Sequence, residues 1–181
     1  MKIALIGSAP SSVTKAPYKD ATFKDFSGSK PLLEQHQFPF TGEDWQIWGC
    51  SPGAFGHVER ADRWFELHRW EPGMAWFSPE YVQWLKAFNG PVYTTEVIPE
   101  VPNSVRIPRE ALSQEFGIFF WTSSLSFMFA IAIQEIVIHR LQTAATGEAP
   151  ESDEIGLWGV DMSANEEYGF QRAGCEFFIL E

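Results

Sequence analysis

Basic residues are scarce in this 181-residue chain: 13 Lys and Arg face 24 Asp and Glu, for a formal charge of -11. Much of the excess is local, since residues 141–181 carry nine acidic residues and the single Arg172. Such a surface repels a phosphate backbone, which excludes a nucleic-acid groove. An isolated phosphate held by backbone N–H groups is not excluded, because that mode needs local dipoles and not net positive charge. Cysteine is nearly absent. Cys50 and Cys175 are too few and too far apart for a disulfide scaffold or a zinc cluster and are expected as free thiols. Long apolar runs are missing as well. Met1 to Gly7 is broken by Gly, Ser and Pro before it reaches the length of a signal-peptide core, so it reads as the first strand of a cytoplasmic domain. Phe127 to Ile133 is seven apolar residues followed by Gln134 and Glu135, far short of a bilayer span, and no membrane association is expected. Neither G-x-G-x-x-G nor G-K-[ST] occurs, and no internal repeat is visible.

Hydrophobic residues make up 45% of the sequence, enough at this length for one core and short for two, so residues 1–181 read as a single domain. Eight Trp and sixteen Phe exceed ordinary use. They suit a core, a flat ligand-binding wall or the interface of a homo-oligomer. KIALIG (2–7) is a continuous apolar run, as expected of a central strand covered on both faces. DWQIWG (44–49), ADRWFELH (61–68), PVYTT (91–95) and the strand beginning at Glu154 continue the series, with 105–107 as a small extra strand in an extended connection. Ser78 followed by Pro79 starts a helix, Asn89-Gly90 ends it, and Arg109 to Glu115 makes a short helix ended by Gly117. Trp121 to Leu141 forms a long helix entered through Thr122, Ser123 and Ser124, with apolar residues at 125, 128, 129, 132, 133 and 136. CEFFIL (175–180) continues a helix or forms a strand. The alternation of strands and helices implies a three-layer, Rossmann-like α/β domain with a mainly parallel sheet of about five strands. Residues of about 13–43, with four lysines and no periodicity, read as a long irregular loop.

In an open α/β sheet, ligands collect outside the carboxyl ends of the strands. Three such ends carry suitable groups. After the first strand come Gly7, Ser8, Ser11 and Ser12, whose hydroxyls and N–H groups suit an anion; after the second comes Cys50-Ser51-Pro52-Gly53; after the last comes Asp161, an acceptor for a ribose hydroxyl or a base amine. Thr122 and Ser123 at the helix entrance join them. Glu66 and His68 share one strand face at period two, which allows a hydrogen-bonded pair. Two ligands without a third imply no metal site.

TSSLSFMFAIAI (122–133) and IGLWGVDM (155–162) together resemble the thr-ser-small, apolar helix and strand-gly-x-asp segment of the bacterial sialyltransferases, and Gly7 to Ser12 stands where that family has a gly-x-gly-pro-ser turn. The chain also resembles, over nearly its whole length, uncharacterised phage-encoded proteins of this layout, in which ADRWFELH, GVDM and EYGFQR (167–172) have counterparts. The transferase resemblance implies that Gly7, Ser8, Ser11, Thr122 and Ser123 meet the phosphate and sugar of a nucleotide, with Asp161 and Tyr168 holding the nucleoside. It further implies a nucleotide or nucleotide sugar as partner and no cofactor; the phage resemblance implies a host-cytoplasm location. The family's catalytic histidine lies beyond the Asp161 position, where this chain has none: His36, His57, His68 and His139 all precede it. The expectation is therefore a nucleotide-binding protein without transfer chemistry, with His68 oriented by Glu66, or His57, as the available substitute base. A glycosyltransferase is the first alternative, and an accessory or host-interaction protein with no small-molecule ligand the second.

Overall fold

The computed structural model describes residues 1–18, 45–147, 152–161 and 166–180, with side chains from 171 onward in the last stretch. Residues 19–43 of the irregular loop expected over about 13–43 lie outside the described residues. The first residue of that loop instead closes a single helical turn, α1 (Pro10–Val13).

Six strands, β1 (Lys2–Ile6), β2 (Trp45–Cys50), β3 (Arg63–Glu66), β4 (Val92–Thr94), β5 (Ser104–Arg106) and β6 (Glu154–Trp158), pair in the order β5-β4-β3-β2-β1-β6. Every pairing is parallel. The count is one above the sequence estimate because the small strand near 105–107, one residue earlier than read, pairs with β4 and becomes an edge. β1 is internal, bonded to β2 on one side and β6 on the other.

Strand alternation sorts the sheet's side chains into two faces. Ile3, Leu5, Trp48, Cys50, Phe65 and Tyr93 face one layer, built from α4 (Arg109–Phe116), α5 (Ser124–Thr146) and α6 (Glu166–Leu180). Ala4, Ile6 and Ile47 face α1, while Trp64 and Val92 face α2 (Ser51–Phe55) and α3 (Pro79–Ala87). This is a three-layer α/β domain with a Rossmann-like sheet. Several aromatics fill the core: Trp48 and Trp64 are fully buried, and Phe65 stacks on Tyr93 with centroids 4.5 Å apart, while Trp76, Phe119 and Phe120 are exposed.

The helix boundaries follow local chemistry. Ser78 caps α3 by accepting the Tyr81 N–H at 3.2 Å, and Glu80 sits in the first turn where a negative charge is favoured. α5 is buried on all sides from Leu125 to Ala132, as its unbroken apolar sequence requires. It is long and apolar enough by composition to cross a bilayer, yet its first half is enclosed by β1, β2, β3, α4 and α6. CEFFIL continues α6, and burial of Cys175 and Phe178 docks that helix on α5.

Arg63 carries a charge into the interior. Arg63 forms a two-pronged pair with Glu135 of α5, donates to Tyr93 Oη at 3.0 Å, and lies 4.5 Å from the Trp48 ring centroid. Burial alone lowers the guanidinium's pKa; Glu135 and Tyr93 outweigh it and leave a net rise, so the charge persists.

Candidate functional site

From β1 the chain crosses the sheet one way as far as β5 and then returns to place β6 on the other side of β1. The boundary between β1 and β6 is therefore the topological switch point, the position at whose carboxyl side open α/β sheets receive ligands. The two loops that leave the carboxyl ends of these strands are stitched together. Gly7 N–H donates to Trp158 O at 2.8 Å, Ala9 N–H to Gly159 O at 2.7 Å, and Gly159 N–H to Ser12 Oγ at 2.8 Å. Glycine is required on both sides: a Cβ on Gly7 would lie 2.4 Å from Gly159 O, and Gly159 has φ +68°. Ser11 completes the seam by donating to Asp161 Oδ1 at 2.5 Å.

Above this seam a cavity of about 870 Å³ spans the ends of all six strands. Gly7, Ser8, Thr122, Ser123 and Asp161 all line it, so five of the seven residues that the transferase resemblance implies at the nucleotide converge. Ser11 and Ser12 are not among the lining residues; their hydroxyls hold the wall through Asp161 and Gly159. Tyr168 falls in α6, but its side chain lies outside the described residues. The anion cradle expected from the first loop is reduced, because the Gly7 and Ala9 amides are bonded to β6 carbonyls. Ser8 is the loop residue left exposed at the cavity, with no hydrogen bond among the described residues.

The entrance of α5 is also partly committed. Ser123 is the N-cap, accepting the Ser126 N–H at 3.2 Å, while Ser126 Oγ accepts the Ser123 N–H at 3.1 Å to complete a capping box. Thr122 Oγ1 donates to Gln171 O at 3.3 Å. α6 comes close enough here that a Cβ on Gly174 would fall 2.3 Å from Thr122 Oγ1. Ser124, the first residue of the helix, lines the cavity and makes no side-chain hydrogen bond among the described residues. Its hydroxyl and the positive end of a 23-residue helix face the same space.

Opposite lies His68, just past the end of β3, with 47% of its side chain exposed. Its Nδ1 is 2.6 Å from Glu66 Oε1, which also accepts the His68 backbone N–H at 3.0 Å. The other carboxylate oxygen accepts Tyr81 Oη at 2.5 Å, and Tyr81 Oη in turn accepts Trp64 Nε1–H at 2.7 Å. Burial, reinforced by the Glu66 charge, pushes the Tyr81 phenol far above its ordinary pKa, so it remains a donor. A fully buried carboxylate thus ties one cavity-wall imidazole to the core. With Glu66 ionised, the ring proton belongs on Nδ1 and the lone pair on Nε2. His57, the other substitute base, is in the turn after α2 and does not line the cavity.

Arg106, Arg109 and Glu110 at the β5 end complete the polar lining. Sequence reading passed over them because Arg109 serves as a helix start and the β5 strand is only three residues long. Cys50 lines the cavity too, but burial, aided by the nearby Glu66 charge, pushes its thiol up to about 12. Among the described residues no group of three or more His, Cys, Asp or Glu is gathered so as to hold a metal ion. No protein-family model, no curated protein and no solved structure matches this chain. The resemblance to the bacterial sialyltransferases stands on the quoted motifs alone.

Proposed function

We propose that the chain binds a nucleotide or nucleotide sugar in the cavity over the β1–β6 switch point. The observation that carries this reading is the convergence of Ser8, Ser124, Asp161 and the amino end of α5 on one cleft at a topological switch point. Asp161 is exposed and anionic, so its part is to accept from a ribose hydroxyl or base amine; the helix end and Ser124 suit an anion. At about 870 Å³ the cavity is in the upper range for small-molecule sites.

A thermal-shift screen across nucleoside mono- and diphosphates and nucleotide sugars tests it, since a ligand at a hundred times its Kd adds about 2.7 kcal/mol to stability. Replacing Ser124 by Ala should remove most of the protection and leave the unliganded melting temperature unchanged. Ser123→Ala should instead cost about 1 kcal/mol of stability, because its hydroxyl caps α5. A flat melting temperature across the whole panel rejects the reading.

The Glu66–His68 geometry favours a second reading, in which the bound nucleotide sugar is also a donor and His68 takes the proton from an acceptor hydroxyl. Free-nucleotide release with simple glycan acceptors, compared between the parent and His68→Ala, decides it. Release above background that collapses in the variant supports transfer; release absent from both leaves binding alone.

A further inference from the structure

We infer that the opposite end of the cleft, where β5 meets α4, is a second anion subsite built from Arg106 and Arg109, and that the cleft takes an extended nucleotide bearing a terminal phosphate or carboxylate. This deepens the nucleotide reading and rests on it for what fills the rest of the cleft. The first argument is charge. In a chain of formal charge -11, two arginines line one end of one cavity. Arg109 has no ion-pair partner among the described residues, and Arg106, at the end of β5, donates to Glu110 of α4 at 2.9 Å in an exposed pair four residues apart in sequence. Exposed pairs of that kind are worth little, so ligand oxygens exchange for Glu110 at small cost.

The second argument is placement. Arg109 is the first residue of α4, where the helix dipole disfavours a cation, and the Pro108 N-cap supplies no side-chain acceptor for the first-turn amides. A bound anion would meet the guanidinium and the Glu110 and Ala111 amides, the Arg109 N–H being already bonded to Ile107 O at 2.8 Å. The third argument is that the first loop cannot take this role: its Gly7 and Ala9 amides are bonded to β6, and α1 is a single turn.

Distance then sets the ligand class. Five strand spacings separate β6 from β5, on the order of 24 Å across the sheet. Even with Asp161 and Arg109 reaching inward, that span exceeds a nucleoside monophosphate. A ligand touching both ends must carry a second anionic group beyond its nucleoside, with His68 of β3 between them.

Calorimetric titration at low salt with inorganic pyrophosphate isolates the subsite. The parent should bind, Arg109→Gln should bind at least about tenfold more weakly, and Lys86→Gln, an exposed change on α3 outside the cleft, should match the parent. Arg109→Lys, which keeps the charge and loses the planar fork, should fall between. The same proteins are then titrated with nucleoside mono- and triphosphates of each base, and Arg109→Gln should abolish the advantage of the triphosphate. Pyrophosphate affinity unchanged in Arg109→Gln overturns the subsite even if nucleotides bind. Pyrophosphate bound through Arg109 with every nucleotide inert keeps the subsite and removes the nucleotide reading.

Discussion

β3 buries two opposite charges three residues apart, and the sheet's alternation sends them to different layers. Arg63 turns toward α5 and closes on Glu135 and Tyr93, both interior. Glu66 turns toward α3, takes a proton donor from Tyr81, and passes the contact on to His68 at the edge of a cavity. The first arrangement ends inside the protein and serves the fold. The second begins inside and ends at solvent, an arrangement that fixes a titratable ring in one orientation and that packing alone would not require.

The largest effect should come from breaking the interior pair. Glu135→Ala leaves an uncompensated buried guanidinium and should cost about 3–5 kcal/mol in urea unfolding, whereas the joint replacement Arg63→Met, Glu135→Leu should recover most of that loss. A loss below about 1 kcal/mol for Glu135→Ala would mean that the pair is not buried as described.

Glu66 sits between the two roles and should show both. Glu66→Gln replaces an acceptor of three hydrogen bonds and should destabilise by about 1–3 kcal/mol, while also disturbing whatever His68 does at the cavity. His68→Ala, by contrast, should change stability by less than about 1 kcal/mol, because its ring is half exposed. Equal stability losses in the two variants would erase the distinction between anchor and effector.

A third carboxylate sharpens the comparison through pH. The Asp153 side chain is 2% exposed and holds the Met1 amine at 2.9 Å and Arg140 Nε at 2.5 Å. Burial opposes its ionisation, but hydrogen bonds from Arg140 and the amine prevail and set its pKa below the ordinary carboxylate value. A depressed folded pKa contributes stability above the unfolded value near 3.9 that is lost as pH falls through the folded one. Asp153→Asn should therefore lower stability at neutral pH and flatten its decline below about pH 4. Fluorescence-monitored urea unfolding at a series of pH values reads this directly.

The smallest expected effect is none at all. Cys50 lies at the cavity wall yet is buried, with its thiol held near 12, and burial also raises Cys175. Neither thiol should react measurably with iodoacetamide at pH 8 in the native protein, and both should react after unfolding. Rapid native labelling of Cys50 would show that the cavity opens more than its packing implies.

What sequence conveyed follows from the range of each signal. β1 was legible because an unbroken apolar run fits a strand covered on both faces, and α5 because its apolar positions recur at helical spacing. The Glu66–His68 contact followed from period two, and Asp161 from its place after a strand. Arg63 and Glu135 are 72 positions apart, and no local period links them. β5 offers only Val105 as an apolar residue, so its strand identity comes from pairing with β4. The Ser11 and Ser12 hydroxyls were read as ligand groups and not as stitching, since their partners, Asp161 and the Gly159 amide, arrive from about 150 residues away. Arg109 reads locally as a helix start; that it faces the same cleft as Asp161 depends on the crossover order of the sheet.

The central claim is that Asp161 and the entrance of α5 hold one nucleotide. Calorimetric titration of the parent and of Asp161→Asn with the nucleotide that protects best tests it most directly. The prediction is saturable one-to-one binding in the parent and at least about tenfold weaker binding in the variant, with the nucleoside portion alone affected as strongly as the whole ligand. Equal affinity in the two proteins, or no heat from any nucleotide, would contradict it.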